Sequence, residues 1–485
     1  MQIGEMIRRA AQRYGDAPAL VCGEQTMSFS QFDQATDRFG NALRGLGLRA
    51  GDRVAVLLPN GIECMIAYYS LAKAGLVRVP LNTRETLLEQ EYKLEYVGAR
   101  ALIHNGNANV NAEFLIGPED FSKMLKDGSA SICAVDRELE APLRLGFTGG
   151  TTGNPKAVTL TTRGEIAEIA AFMMDLIPGI DFGDTMLHAA PIGHASGAFF
   201  LPHLLRGARS VIMPKFDADT FIDVAEREGA TCTFLVPTMI AMVLERSGIA
   251  GAKFKLRRLC YGASSIAPSL AKRAMMAFGP ILAQTYGQAE SPMVITLLQP
   301  DEHDREASCG RPYTFVEARV VDDEDRVLMH GEVGEIVCRG PQLMARYWNK
   351  PEETEKTMRN GWLHTGDLGY MDREGFFYIA DRKNDLIISG GYNIYPREIE
   401  DVLLSVNGVL EAAVIGLPDE KWGDRVHAVI SVRQGISAES VYLSSCHLIA
   451  SYKRPKEIEI WPELPKSAAG KILRRKIREA IIARQ

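Results

Sequence analysis

Short apolar segments rich in β-branched residues alternate along this chain with stretches of helical periodicity, and that alternation most restricts its fold. Val54-Ala-Val-Leu-Leu and Ser210-Val-Ile-Met read as buried strands, whereas Ile62 to Ala72 and Asp217 to Glu228 read as helices. Such alternation predicts α/β layers. From about Ala318 the texture changes to short strands and tight turns, including Gly331-Glu-Val-Gly-Glu-Ile-Val-Cys and the Asp372-Arg-Glu-Gly turn before Phe376-Phe-Tyr-Ile. A small β-rich subdomain is expected there. A polar break at Asp381-Arg-Lys-Asn-Asp precedes a final stretch of mixed helix and strand patterns, ending in the basic helix Ile472 to Ala483. With 485 residues the chain is too long for one core, so two or more domains are expected.

Residues 147–158 read Phe-Thr-Gly-Gly-Thr-Thr-Gly-Asn-Pro-Lys-Ala-Val. Gly149, Gly150 and Gly153 let the backbone approach an anion closely. Thr148, Thr151 and Thr152 supply hydroxyl donors, and Lys156 adds a positive charge, a combination suited to phosphates. The spacing does not fit the Walker pattern, and a flexible surface loop is the alternative for this segment alone.

Other segments carry chemistry as well. Tyr286-Gly-Gln-Ala-Glu290 follows the apolar run Ile281-Leu-Ala, so Glu290 projects from a strand end where a carboxylate suits Mg²⁺ bound to nucleotide phosphates. A solvated surface glutamate is the alternative. In Gly361-Trp-Leu-His-Thr-Gly-Asp367, an aspartate follows a glycine and suits the hydroxyls of a ribose; an ordinary turn aspartate is the alternative. Gly390-Gly391, within Asp381 to Glu400, would let a thin substituent pass close to the backbone. Pro465-Lys-Ser-Ala-Ala-Gly-Lys471 places Lys471 on a glycine turn ahead of a basic helix, where a lysine is ordinarily solvated.

Composition excludes partners. Charged residues make up 24% and hydrophobic ones 46%, and the net charge of −6 gives no reason to expect nucleic acid. The eight cysteines (Cys22, Cys64, Cys133, Cys232, Cys260, Cys309, Cys338 and Cys446) are scattered singly, with no CxxC and no histidine cluster at ligand spacing. They read as reduced core thiols of a cytoplasmic protein. The N-terminal segment has the pattern of an amphipathic helix, and no apolar run reaches the roughly 20 residues that span a bilayer. Neither a membrane span nor secretion is expected. The sequence leaves the oligomeric state open.

Taken together, segments 147–158, 188–197, 286–290, 361–367, 381–400 and 465–474 resemble, in order and spacing, the adenylate-forming superfamily of acyl-CoA synthetases, luciferases and peptide-synthetase adenylation domains. The likeness runs from about residue 15 to the C-terminus, most like a stand-alone bacterial-type acyl-CoA synthetase. It implies a large N-terminal domain (1–383) of layered α/β subdomains with a small β-barrel-like subdomain, and a small mobile α+β C-terminal domain (384–485) hinged at Asn384. By the same resemblance, the loop 148–156 grips the ATP phosphates, with Thr151 among the catalytic hydroxyls. Gly262, Ala263, Tyr286 and Gly287 line the adenine site. Glu290 holds Mg²⁺, Asp367 takes the ribose hydroxyls and Arg382 contacts ribose or phosphate. Lys471 bridges the carboxylate and the α-phosphate, while Gly390, Gly391, Trp422, Tyr452 and Arg454 serve CoA.

The implied reaction brings two anions together, so its barrier falls when fixed cations sit where charge develops. A hinged domain would first deliver Lys471 and then withdraw it to present the Gly390-Gly391 face to a pantetheine arm. Some positions depart from the family pattern. Ala289 stands where threonine is usual and removes a hydroxyl. Asn384 replaces the more common Asp or Lys, Gly149 a common serine and Ala157 a common glycine.

The acyl pocket is expected from Pro191 to Gly197, Phe199, Phe200, Met239, Tyr261 to Ser265 and Thr285 to Gln288, and is mostly apolar. Amino-acid-activating relatives carry an aspartate near 194. His194 stands here instead, which disfavours α-amino acids and resembles the gate beside a pantetheine tunnel, a packed core histidine being the alternative. The expected activity is an AMP-forming acyl-CoA synthetase for a fatty, alicyclic or aromatic carboxylic acid, using ATP, Mg²⁺ and CoA. An acyl-AMP ligase that loads a carrier protein, or a degenerate nucleotide-binding protein, are the alternatives.

Overall fold

The computed structural model describes every residue except 107–109, 149–154, 384, 390–391, 420–421, 467–470 and 485. Among the described residues the strands form three sheets. The centre of the largest is parallel, in the order Pro18–Cys22, Arg209–Ile212, Thr185–His188, Cys232–Leu235, Arg258–Tyr261 and Leu282–Tyr286. Thr185–His188 and Cys232–Leu235 are buried along their whole length, as strands covered on both faces are. The helix expected over 217–228 forms as Ala218–Arg227, its first turn capped by Asp217, whose carboxylate accepts the N–H of Thr220 at 2.9 Å.

Beyond Leu282–Tyr286 the large sheet becomes antiparallel, through Thr296–Leu298 and Ser308–Pro312 to Phe377–Arg382, Trp362–Met371, Gly334–Arg339 and Glu317–Val321. The β-rich region thus continues the large sheet, Ser308–Pro312 pairing with Thr296–Leu298 on one side and with Phe377–Arg382 on the other, and the pairings among the described residues do not close it into a barrel.

A second sheet centres on Arg53–Leu57, between Val77–Pro80 and Ala101–His104. It also contains the antiparallel pair Pro142–Phe147 and Ala157–Thr161, which brackets the threonine- and glycine-rich loop.

The third sheet pairs Val409–Asp419 with Gly423–Val432. Alternate residues of Val409–Asp419 point to opposite faces. Ala412 and Val414 pack with Ile399 and Leu403 of the helix Pro396–Ser405, whereas Ala413, Ile415 and Leu417 pack with Ile477 and Ile481 of the helix Arg474–Ile482. Ile477 and Ile481 are one helical turn apart and both buried, so this last helix is anchored to its sheet, and the position of Arg474 is fixed with it.

No helix among the described residues is long and apolar enough to cross a membrane. Six of the eight cysteines are buried, and Cys22 and Cys446 are half-buried.

Candidate active site

Tyr261 and Tyr286 end two neighbouring parallel strands, so the turns beginning at Gly262 and Gly287 leave the large sheet at its carboxyl edge. Open parallel sheets bind ligands there. Both glycines are required by packing. A Cβ on Gly262 would lie 2.5 Å from the carbonyl oxygen of Thr285, and one on Gly287 would lie 2.5 Å from Met293 N and Ser291 O. Ala263 follows with φ at 69°, in the left-handed region that a side chain disfavours. Strain of this kind clusters at ligand sites.

The turn after Tyr286 meets Asp367, which lies opposite Arg382 in the antiparallel wing. Asp367 is 4% exposed. Its Oδ1 lies 2.6 Å from Arg382 Nε, and its Oδ2 accepts from the Tyr286 hydroxyl at 2.6 Å and from Gln288 Nε2 at 2.7 Å. An ionised carboxylate offers about four acceptor positions, so three are filled and one is left for a ligand hydroxyl. Burial, together with the neighbouring Asp367 carboxylate, raises the Tyr286 phenol well above its ordinary pKa, so it remains a donor. Gln288 was expected in the acyl pocket; its amide instead bridges Asp367 and the carbonyl of Thr365.

Glu290 is almost buried, and its Oε1 accepts from the Tyr347 hydroxyl at 2.6 Å. The Lys156 ammonium sits 4.9 Å above the Tyr347 ring. Tyr347 therefore joins the threonine- and glycine-rich loop to the Glu290 turn, a role that no motif in the sequence marks. The base of the loop is closed by Thr148 N–H to Lys156 O at 2.9 Å and by Lys156 N–H to Thr148 Oγ1 at 3.3 Å. Gly149, Gly150, Thr151, Thr152 and Gly153 lie outside the described residues, as do Asn384, Gly390 and Gly391. Among the described residues no group of three or more His, Cys, Asp or Glu is placed to hold a metal. A lone buried carboxylate fits Mg²⁺, which is commonly held by one or two carboxylates together with substrate phosphates and water.

Lys471 reaches the same centre from the C-terminal sheet. Surrounding protein and the positive charge of Arg382 lower its pKa below the ordinary lysine value, and the carboxylate of Asp367 opposes them. The structure thus brings Tyr286, Asp367, Arg382 and Lys471 together from four separate segments.

His194 has a neighbour that the sequence did not suggest. Asn82 Oδ1 accepts the Arg84 N–H at 2.9 Å, which fixes the amide orientation, so Asn82 Nδ2 faces His194 Nε2 at 2.9 Å as a donor. The imidazole therefore accepts at Nε2 and carries its proton on Nδ1. Desolvation, with the charges of Lys93 and Arg84, lowers its pKa and keeps it neutral.

Phe199 and Phe200, both expected in the acyl pocket, are fully buried, Phe199 against Phe172 and Phe234, and Phe200 against Phe32 and Tyr69. Ala289 packs against the core of the large sheet.

Trp422, Tyr452 and Arg454 occupy another surface. The Tyr452 ring lies 4.7 Å from that of Tyr392, and Lys456 Nζ lies 5.7 Å from the Trp422 ring. Arg454 Nε donates to the carbonyl of Ile449. Trp422, Tyr452 and Tyr392 are all exposed.

Residues 7–348 match the family described as AMP-binding enzyme, and residues 398–471 match the AMP-binding enzyme C-terminal domain. The chain is 32% identical to a medium/long-chain-fatty-acid–CoA ligase of Mycobacterium tuberculosis, over 96% of this chain and 88% of that one. It is 33% identical to a fatty acid–[acyl-carrier-protein] ligase of Streptomyces coeruleorubidus, over 97% and 94%. Its fold is similar to that of o-succinylbenzoate CoA synthetase from Bacillus subtilis in complex with its acyl-adenylate intermediate, with a TM-score of 0.90 at 30% identity, over 98% of this chain and 97% of that one.

Proposed function

The chain belongs to the AMP-binding enzyme family, and from that premise we propose that it joins a carboxylic acid to the thiol of CoA through an acyl-adenylate. In the first step a carboxylate oxygen attacks the α-phosphorus of ATP and pyrophosphate leaves. In the second, the thiol sulfur attacks the acyl carbon and AMP leaves, the thiol proton passing to solvent or to a base. The convergence of Lys471 on the Asp367–Arg382 pair carries this reading, because it puts a cation beside a nucleotide-sized polar site.

Each residue then has a role. The free acceptor position on Asp367 takes a ribose hydroxyl, and Arg382 neutralises Asp367 while facing the phosphates. Lys471 sits between the attacking carboxylate and the α-phosphate, where negative charge crowds. Glu290, held in orientation by Tyr347, is the residue that would hold Mg²⁺, and that ion would neutralise phosphate charge when bound. Neutral His194 borders the acyl site with its Nδ1–H available as a donor. The parts that move are 1–383 and 384–485, and the exposed Tyr392, Trp422 and Tyr452 face serves the pantetheine arm of CoA in the second step.

The acid proposed is one with an apolar acyl group, fatty, alicyclic or aromatic, in keeping with His194 where an amino-acid-activating site carries aspartate. Incubating the protein with ATP, Mg²⁺, CoA and a pool of octanoate, decanoate, benzoate, 2-succinylbenzoate and amino acids tests this. Mass spectrometry should find an acyl-CoA from an apolar acid; neither acyl-AMP nor acyl-CoA from any of them would refute it. The similarity to a carrier-protein ligase supports a second reading, in which acyl-AMP forms and CoA is ignored.

A further inference from the structure

Four carboxylates, Asp381, Asp385, Glu400 and Asp401, pair with the two arginines Arg397 and Arg474. Arg474 is their common partner. Its Nε and Nη2 form a fork on Glu400 at 2.9 and 2.6 Å, while its Nη1 reaches Asp385 at 2.8 Å and Asp381 at 2.9 Å. Asp381 belongs to the strand Phe377–Arg382 of the large sheet, before position 384. The other partners come after it.

We infer that the ion pair between Arg474 and Asp381 is the latch that holds Lys471 at the adenylation centre and must open before the thiol step. The inference rests on the two-step reading proposed above. Arg474 lies three residues from Lys471 and opens the helix anchored by Ile477 and Ile481, so the two basic residues travel with the C-terminal sheet. Rotation about position 384 leaves the Arg474–Glu400 fork intact, since both ends move together. It breaks Arg474–Asp381, along with the bonds from Arg397 N–H to Asp381 Oδ2 at 2.8 Å and from Arg397 Nη1 to Ile379 O at 2.9 Å.

Burial decides which contact matters. Arg433 and Glu245 also pair across the two parts, at 2.8 Å, but their side chains are 58% and 47% exposed, and such surface pairs contribute little. Arg474 and Asp381 are 20% and 2% exposed. Without Arg474, Asp381 would face Asp385 and Glu400 with like charge, which turns attraction across position 384 into repulsion.

Asp381→Asn keeps the shape of the side chain and removes its charge, and Arg474→Ala removes the cation. In both, acid-dependent pyrophosphate exchange with the octanoate, decanoate, benzoate and 2-succinylbenzoate pool should fall about a hundredfold or more, the fold-change that breaking one buried ion pair corresponds to. Conversion of supplied acyl-AMP by CoA should be retained or rise, and Arg474→Lys should fall between wild type and Arg474→Ala. Trypsin cleavage after Lys383 should accelerate in Asp381→Asn while the large N-terminal fragment stays intact. Equal loss of both half-reactions, or unchanged cleavage at Lys383, overturns the latch. A wild-type protein that exchanges no pyrophosphate with the pool refutes the functional reading instead, and the cleavage comparison still decides the latch.

Discussion

The Tyr347 hydroxyl donates a 2.6 Å hydrogen bond to Oε1 of Glu290, and the same ring carries the Lys156 ammonium on its face. One side chain therefore orients the carboxylate proposed to hold Mg²⁺ and steadies the lysine that closes the threonine- and glycine-rich loop. Tyr347→Phe keeps the ring and removes only the donor. A hydrogen bond to a charged group is worth about 1.5–3 kcal/mol, so the Mg²⁺ concentration for half-maximal pyrophosphate exchange should rise about tenfold or more. Titrating Mg²⁺ against both proteins checks this, and an unchanged midpoint would detach Tyr347 from the metal site.

Lys471 titrates early, because desolvation and the nearby Arg382 disfavour its charged form. In the role proposed for Lys471 adenylation needs that charge, so its rate should decline as pH rises through a value below the ordinary lysine pKa of about 10.4. In Lys471→Arg this alkaline limb should vanish. Lys471→Ala should cut pyrophosphate exchange roughly 10²–10³-fold, as loss of one preorganised electrostatic contact does, and leave the conversion of supplied acyl-AMP to thioester largely intact.

Asn82 sets the proton position on His194 by donating to Nε2. An aspartate there accepts instead. Asn82→Asp should therefore move the proton to Nε2 and raise the pKa of His194, because a carboxylate beside an imidazole favours the charged ring. Nitrogen-resolved NMR of the labelled histidine reads both changes, and an unaltered tautomer would show that Asn82 does not control it.

Gly287→Ala places a methyl group 2.5 Å from backbone atoms of Ser291 and Met293, which cannot move as a flexible side-chain tip could. The turn must shift, at a cost of about 1–3 kcal/mol or more. Thermal denaturation should show a lower Tm, and the KM for ATP should rise because the displaced turn carries Gln288 towards or away from Asp367. A variant with wild-type values for both would place that turn outside the nucleotide site.

Much of this architecture was legible in the chain itself. The Asp217 to Glu228 segment announced its helix with a cap at its first residue, and Val54 and Ser210 marked strands that form nearly where their apolar runs lie. Asp367 and Lys471 each read alone as an ordinary turn aspartate and a solvated lysine, and with Tyr286 and Arg382 they took roles only from the resemblance carried by several co-ordered motifs. Strand patterns marked the β-rich region from about Ala318, but only pairing reveals that Ser308–Pro312 joins it to the large sheet. Apolar character likewise does not say whether a side chain lines a pocket or fills a core, and packing alone decides the burial of Phe199 and Phe200.

What the sequence by itself determined is the set of chemical groups and the elements that carry them, because periodicity, capping and turn chemistry act between residues a few positions apart. Tertiary structure alone decided the pairings. Tyr347 is 57 residues from Glu290, Asn82 is 112 from His194 and Arg474 is 93 from Asp381. A hydrogen bond or ion pair depends on ångström-scale distance and direction, and these arise only when separate sheets and helices pack and desolvate the groups between them.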